Sequence, residues 1–235
     1  MFILTIDTAF THCTVALIHH TSVVARISER MNKNHAEKLI EQIAQIIHNA
    51  NITLNQINRI AVNIGPGSFT GVRVGVSTAK ALALALEIPA IGISSLEALA
   101  AQALQQAPNE DTLSAVAVII EAGRGIFYHQ NFNKDLTALS EPSLKTLEHI
   151  IADLPPQTIL TGSATNTVAL HIQNQNDKTN TVIISDQVAC ETADIAIYAH
   201  LASNKQPQAS PRPLYLRDAD AKQQTNFALP RKNNG

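Results

Sequence analysis

The stretch RIAVNIGPGSFTGVRVGVSTAK, residues 59–80, contains the clearest local pattern in the chain. Its first six residues form an apolar, β-branched run that is typical of a strand buried in a sheet. Gly65-Pro66-Gly67 ends that strand, because glycine permits positive φ angles and proline cannot continue a ladder. Ser68 is suited to cap a helix, and the run of Ala, Leu, Val and Lys that follows predicts a helix to about Glu87.

Small residues recur at every fourth position of this predicted helix, at Gly71, Gly75, Ala79 and Ala83. Each glycine costs roughly 0.5–1 kcal/mol relative to alanine within a helix, so two of them on one face need a compensating contact. A row of small residues lets another backbone approach closely. That backbone could belong to a helix of a second chain or to an element of the same chain, and spacing alone leaves both interpretations open.

The glycine-rich turn at residues 65–71 differs from two common phosphate-binding loops. A Walker A loop needs G-x-x-x-x-G-K-[ST], and no Lys-Ser or Lys-Thr pair follows a glycine here. A dinucleotide fingerprint needs G-x-G-x-x-G after the first strand, whereas this turn has one residue too many and follows three predicted strands. A simple anion site at the helix N-terminus stays open, because that end offers free N–H groups.

Composition limits the classes of protein that the chain can represent. With 235 residues, 45% of them hydrophobic, it can bury a core as one large domain or two small ones. The net charge of −2 argues against an autonomous nucleic-acid binder. Cys13 and Cys190 are too few for a disulfide framework. The N-terminus lacks the basic lead of a signal peptide, and the apolar stretch from Ala79 to Ile93 is interrupted by charges and Pro89. We therefore expect a soluble cytoplasmic protein.

The hydrophobic periodicity predicts an α/β chain whose order of elements occurs twice. In the first half we predict strands at 2–6, 14–18, 22–28, 59–64 and 90–93, and helices at 34–51, 69–87 and 95–105. A change in composition at residues 107–111 marks the junction. In the second half we predict strands at 113–120, 126–132, 158–161 and 182–185, and helices at 144–154, 165–173 and 190–203, the last capped by Asp186.

The residues GPGSFTGVRVGVSTAKALA, at positions 65–83, resemble the signature of the TsaB family, also called YeaZ. These bacterial proteins take part in the synthesis of threonylcarbamoyladenosine on tRNA. The segment PRPLYLR, residues 211–217, resembles the Pro-x-Tyr-Leu-Arg ending of the same family. The resemblance implies the duplicated fold of the acetate kinase, sugar kinase, Hsp70 and actin (ASKHA) superfamily, with two β-sheet lobes flanked by helices. The expected organisation is an N-terminal lobe with partner-binding helices at 1–107, a reduced C-terminal lobe at 108–217 and a polar, disordered tail at 218–235.

Asp7 follows the first predicted strand, where an aspartate helps to hold a metal–nucleotide in the superfamily. The residues after it, Thr8 to Cys13, include no glycine that would let the backbone wrap phosphates, and Phe10 is bulky. We therefore interpret Asp7 as a vestige of a nucleotide site that bonds to loop N–H groups.

Motifs for hydrolysis are missing from the sequence. The nine histidines form neither the H-E-x-x-H of zinc proteases nor the H-x-x-x-H of TsaD, and G-x-S-x-G is absent. We expect no catalytic residue, no metal and no cofactor.

The resemblance implies a non-catalytic subunit that binds and activates TsaD, the catalytic paralogue, with the ATPase TsaE docking on that pair. The complex transfers a threonylcarbamoyl group to adenosine 37 of tRNA, which the chain meets only through the complex. The same surface is suited to a homodimer when the partner is missing, and the sequence leaves both monomer and dimer open for the isolated chain. The alternatives are a small-molecule kinase or ATPase of the same superfamily and, less favoured, a glycoprotease-like peptidase. The predicted partner contact consists of seven apolar or small residues of two helices: Leu39, Ile43, Ile46, Val72, Gly75, Val76 and Ala79.

Overall fold

The computed structural model describes residues 1–30, 35–107, 113–174, 182–184, 190–207 and 210–216. The first half contains β1 (Phe2–Asp7), β2 (His12–His19), β3 (Ser22–Arg30), α1 (His35–Asn49), β4 (Ile57–Asn63), α2 (Phe69–Leu86), β5 (Ala90–Ile93) and α3 (Ser95–Gln106). The second half contains β6 (Ala115–Glu121), β7 (Ile126–Asn133), β8 (Ser143–Thr146), α4 (Leu147–Ala152), β9 (Thr158–Thr161), α5 (Thr165–Asn174), β10 (Val182–Ile184) and α6 (Ile195–Asn204).

The two halves form two five-stranded sheets with the same topology. The first sheet has the order β3-β2-β1-β4-β5, and the second has the matching order β8-β7-β6-β9-β10. In each sheet the first three strands along the chain pair antiparallel and the last two add in parallel. This confirms the predicted duplicated ASKHA fold.

The helices lie in three layers around the two sheets. One hydrophobic cluster joins the outer face of the first sheet to α1 and α2, and another joins the outer face of the second sheet to α4 and α5. The largest cluster lies between the sheets and includes Leu96 and Leu99 of α3 and Ile195 and Tyr198 of α6. Both helices therefore join the two halves into one packed body.

Helix α6 is fixed to the first half at both of its ends. Its N-cap Asp194 pairs with Arg26 of β3 at 2.7 Å. Arg59 of β4 donates hydrogen bonds to the carbonyl oxygens of Ala202 and Lys205, which close the C-terminal end of the helix. The last helix of the chain is thus held by strands that lie more than a hundred residues earlier.

Two predicted elements of the second half are wrong in their bounds. Residues 144–146, predicted as the start of a helix, form β8 instead, because they pair with β7. The last helix begins at Ile195 rather than Cys190, because Asp194 is the residue that accepts a hydrogen bond from the first turn. The predicted cap Asp186 and the predicted helix start Asn34 lie outside the described residues.

Among the described residues, only α2 is long and apolar enough to match a membrane-crossing helix, and core helices of soluble proteins pass the same test. Its inward residues pack on the first sheet. Ser68 caps it as predicted, accepting from the N–H of Gly71 at 3.3 Å.

The small-residue row of α2 faces the end of β1 within the same chain. A Cβ added at Gly71 would lie 2.0 Å from the carbonyl oxygen of Thr8, and one added at Gly75 would lie 2.4 Å from the Thr8 hydroxyl. The Thr8 hydroxyl donates to the carbonyl oxygen of Gly71 at 2.6 Å, and the Ser68 N–H donates to the carbonyl oxygen of Ala9 at 2.6 Å. The backbone that packs closely against these glycines therefore belongs to the same chain.

We predict that Gly71→Ala lowers the free energy of unfolding by about 2 kcal/mol, although alanine is the better helix former. The added methyl group would overlap a backbone oxygen that cannot rotate away. Urea unfolding provides the measurement, and Ser77→Ala on the exposed side of α2 is the control, with a change within about 0.5 kcal/mol. Equal stability of Gly71→Ala and wild type would contradict the close approach.

His129 of β7 is fully buried beneath α4. Burial, with a smaller effect from Lys145, lowers the pKa of its imidazole from 6.5 to about 4, so the folded chain holds the neutral ring. The unfolded chain then takes up a proton first as the pH falls, and folding loses stability between about pH 6.5 and pH 4.

We predict that this loss reaches at most about 3 kcal/mol, since each pKa unit corresponds to about 1.4 kcal/mol. His129→Leu should flatten the dependence of unfolding free energy on pH in that window, while His48→Gln, at an exposed position of α1, should leave it unchanged. Urea titrations at pH 7.5, 6, 5 and 4 measure the slope. An unchanged slope in His129→Leu would show that another titrating group causes the dependence of unfolding free energy on pH.

Candidate functional site

Three parallel strands of the first sheet, β1, β4 and β5, end at the same edge and bring polar residues together there. Asp7 ends β1, Asn63 ends β4, and Ser95 opens the helix that follows β5. In open α/β sheets the carboxyl ends of parallel strands form the usual ligand crevice. This edge is therefore the candidate site, and it faces α6.

Asp7 is only 4% exposed, and both of its carboxylate oxygens accept hydrogen bonds from the chain itself. Oδ1 accepts from the Ala9 N–H and from Nδ2 of Asn63, each at 2.9 Å. Oδ2 accepts from the hydroxyl of Thr192, just before α6. The aspartate thus joins the strand end, the adjacent loop and the segment that leads into the last helix.

Asn63 connects Asp7 to the remaining polar groups. Its Oδ1 accepts from the Gly65 N–H at 2.8 Å and from the Ser95 hydroxyl at 2.9 Å, and its Nδ2 lies 3.0 Å from the hydroxyl oxygen of Tyr198. The Tyr198 and Thr192 hydroxyls are also 3.0 Å apart. Every one of these five polar side chains has a partner within the network, so the polar groups at this edge are bonded to one another.

Burial raises the pKa of Asp7 above its ordinary value, and hydrogen bonds from Thr192, Ala9 and Asn63 counteract this in part. Burial and the nearby Asp7 raise the pKa of the Tyr198 phenol well above its ordinary value, so it stays protonated. A carboxyl group that is enclosed in this way can hold elements together. It is not positioned to exchange protons with a substrate in solvent.

In each half, one glycine-containing turn stands where other members of the superfamily bind phosphate. Each of these two turns packs against the backbone of its own half. A Cβ at Gly67 would lie 2.4 Å from the carbonyl oxygen of Ala9, and one at Gly162 would lie 2.3 Å from that of Ile119. The Ser163 hydroxyl accepts from the Glu121 N–H at 2.9 Å. Phe10 packs against the cores on both faces of the first sheet. These glycines thus serve close packing of backbone on backbone.

The seven residues predicted to contact a partner lie in the core of the chain itself, which corrects their assignment to a surface. All of them are buried between the outer face of the first sheet and α1 or α2: Leu39, Ile43, Ile46, Val72, Gly75, Val76 and Ala79. The physical reason is that an apolar stripe on a helix of an α/β fold covers its own sheet before it can serve a second chain. A Gly75 substitution would accordingly disturb folding.

The sequence indicated Asp7 as a site residue but not the side chains of the hydrogen-bond network around it. Asn63 carried a usable signal, because it is a polar residue that directly follows the apolar run Ile60–Val62 at the end of its strand. Thr192 and Tyr198 carried none, since they lie 185 and 135 residues from the groups that they contact. Among the described residues, no group of three or more His, Cys, Asp or Glu side chains is placed to hold a metal ion.

The fold and the site together define a two-lobed ASKHA-type protein whose strand-end aspartate is bonded to its own chain. A family model described as TsaD, tRNA N6-adenosine threonylcarbamoyltransferase, matches residues 23–225. The TsaB protein of Buchnera aphidicola from Baizongia pistaciae is 32% identical over 170 residues, which cover 68% of this chain and 74% of that protein. The chain belongs to the TsaB (YeaZ) family.

Other relatives match over shorter regions or in fold alone. The TsaB protein of Buchnera aphidicola from Schizaphis graminum is 40% identical over 114 residues, 48% of this chain and 54% of that protein. The alignments with the first curated relatives span about half of their length. A crystal structure from Pseudomonas aeruginosa, of an uncharacterized protein similar to the peptidase YeaZ, superposes with a TM-score of 0.69 at 22% identity. It covers 92% of this chain and 99% of that one, which shows a common fold.

We predict that Asp7→Ala lowers the free energy of unfolding by about 2–4 kcal/mol, because three buried donors lose their acceptor. Asp7→Asn should cost less than half as much, since burial disfavours the charge and the amide keeps one acceptor oxygen. Thr192→Val should also destabilise, and Thr192→Ser should not. Denaturant unfolding of the four variants is the measurement. Equal losses for Asp7→Ala and Asp7→Asn would contradict the network.

Proposed function

We propose that this chain is a non-catalytic subunit of the machinery that makes threonylcarbamoyladenosine at position 37 of tRNA, where it binds and activates a TsaD-like transferase. Family membership supports the pathway, since the relatives are named tRNA threonylcarbamoyladenosine biosynthesis proteins. The main support for a non-catalytic role is that both carboxylate oxygens of Asp7 already accept hydrogen bonds from the chain itself.

The same geometry argues against the superfamily's kinase or ATPase chemistry in this chain. A magnesium–nucleotide at the end of β1 would need the oxygens of Asp7, which already accept from Ala9, Asn63 and Thr192. Binding would therefore have to break several buried hydrogen bonds, and a donor left unpaired costs about 1–3 kcal/mol. The chain keeps the two-lobed fold and uses this edge for internal packing.

The outward faces of α1 and α2 are the surface that we propose for the partner. Their inward faces are occupied by the core, whereas Ile40 of α1 is 54% exposed and Leu84 of α2 is 82% exposed. Large apolar side chains on adjacent helices are typical of an interaction site. Two helices from each partner would form a four-helix contact, and such a pair can supply the roughly 800 Å² per partner of a standard interface.

The proposed assembly includes an ATPase and tRNA in addition to the paralogue. A TsaE-like ATPase docks on the pair, and tRNA is reached through the complex, which agrees with the net charge of −2. The same helical surface gives a homodimer when the paralogue is missing, since an isologous contact uses one patch twice. A cytoplasmic location follows from the site of tRNA modification.

Reconstitution of tRNA modification with the TsaD-like paralogue and the ATPase, with and without this chain, tests the proposal. We expect modification only when the chain is present. Isothermal titration of the isolated chain with Mg-ATP tests the alternative of a kinase or ATPase, and we expect no heat of binding. Tight Mg-ATP binding that Asp7→Asn abolishes would replace our proposal with the kinase alternative.

We predict that the double variant Ile40→Glu/Leu84→Glu reduces co-purification with the paralogue at least 10-fold, because two charges would be buried at the contact. The matched control is Leu170→Glu, which alters a side chain that is 60% exposed on α5 of the other lobe. Both proteins should unfold at the temperature of wild type, since the altered side chains are exposed. Normal binding by the double variant would remove this surface from the proposal.

A further inference from the structure

The first turns of α2 present an arginine whose guanidinium group is held in one orientation. The guanidinium carbon of Arg73 lies 3.6 Å above the ring centre of Phe69 and 5.4 Å from that of Tyr215. Its Nε donates a hydrogen bond to the Tyr215 hydroxyl at 2.6 Å. The two rings lie 5.2 Å apart and are tilted by 39°. Stacking and the hydrogen bond together reduce the rotamer freedom of an otherwise exposed side chain.

Phe69 and Tyr215 thus form an aromatic clamp around Arg73. The second ring of this clamp, Tyr215, comes from the far end of the described chain. Residues 210–216 run beside the start of α2, and the Leu214 N–H donates to the carbonyl oxygen of Ile64 at 2.8 Å. Pro211, which precedes this contact, is buried. These two attachments place Tyr215 over Arg73. The position of the arginine is therefore fixed by a tertiary contact that spans 142 residues.

Arg73 has free hydrogen-bonding capacity on the outside of the protein. Its Nε is used by Tyr215, and within the described ranges no carboxylate forms an ion pair with its terminal nitrogens. The guanidinium fork matches a carboxylate or a phosphate in a bidentate arrangement. A preorganised fork loses less entropy when it binds, which makes it a good anchor.

The surroundings of Arg73 favour a protein carboxylate over a nucleic-acid phosphate. It lies on the exposed stripe of α2 that runs through Phe69, Arg73, Ser77, Lys80 and Leu84. Exposed aromatic side chains around one arginine, here Phe69 and Tyr215, are typical of the energetic centre of a protein interface. Tracking of an RNA backbone relies on several cations along a groove, and here the next cation on the stripe, Lys80, is two helical turns away.

We propose that Arg73, clamped between Phe69 and Tyr215, is the charged anchor of the partner surface and pairs with a carboxylate of the TsaD-like paralogue. The inference rests on the proposed function and adds two features to it. It names the chemistry of the opposing group, and it makes the segment at residues 210–216 a part of the interface through Tyr215.

Titration of the full-length chain against the purified paralogue tests the inference through an ordered series of variants. We expect the Kd to rise about 5-fold for Arg73→Lys, which keeps the charge but loses the fork, and about 20-fold for Arg73→Met. Arg73→Glu should raise it more than 100-fold, because it would oppose like charges. Tyr215→Phe, which removes only the acceptor of Nε, should raise it about 3-fold.

The salt dependence of binding provides a readout that a purely structural role would not change. The Kd of wild type should rise with NaCl between 50 and 500 mM, and Arg73→Met should show a flatter dependence, because its contact carries no charge. Arg124→Glu, an exposed arginine in the turn between β6 and β7, is the control and should bind as wild type does.

Three outcomes would overturn the inference. If Arg73→Glu binds no worse than Arg73→Met, no anion faces this position. If Arg73→Glu binds the paralogue normally but loses retention of tRNA by the complex, the anion is a phosphate. If wild type binds and Ile40→Glu/Leu84→Glu does not, while all Arg73 variants bind normally, the proposed function stands without this anchor. Failure of wild type to bind the paralogue would refute both.

Discussion

The structure depends on the close approach of α2 to the end of β1. Gly71 and Gly75 have no side chain where Thr8 lies, so the helix can accept a hydrogen bond from the Thr8 hydroxyl directly at its backbone. Any other residue at Gly71 would place a carbon atom 2.0 Å from a carbonyl oxygen. The cost of two glycines within a helix, roughly 1–2 kcal/mol together, is offset by this packing.

The close approach also determines what the strand ends can do. It fixes the loop at residues 65–68, from which the Gly65 N–H reaches Asn63, and Asn63 in turn holds Asp7. The remaining oxygen of Asp7 binds Thr192, so the segment before α6 closes the edge of the first sheet. A single polar network thereby connects residues of both halves, and it occupies the place where open α/β sheets usually bind ligands.

The proposed function uses the outside of the molecule. The same two helices that cover the first sheet with Val72, Val76 and Ile43 expose Ile40 and Leu84 on their other faces. The clamp of Phe69, Arg73 and Tyr215 lies on the same side of α2 as Leu84. These features, together with the internal bonding of Asp7, support the proposed role in binding a partner.

From the sequence we could predict the order of all the strands and helices except β8, the Ser68 cap of α2, the duplicated fold and the family. Each of these depends on periodicity or on a contiguous motif. The sequence could not decide what the small-residue row of α2 packs against, since such a row accommodates a strand end of the same chain or a helix of another chain equally well. It also contained no sign of β8, of the contacts of Thr192 with Asp7 and of Tyr198 with Asn63, or of Tyr215 on Arg73. Except for β8, which pairs with the neighbouring strand β7, these contacts join residues far apart in the chain. Which distant groups meet depends on tertiary packing, since each buried polar atom must find a partner.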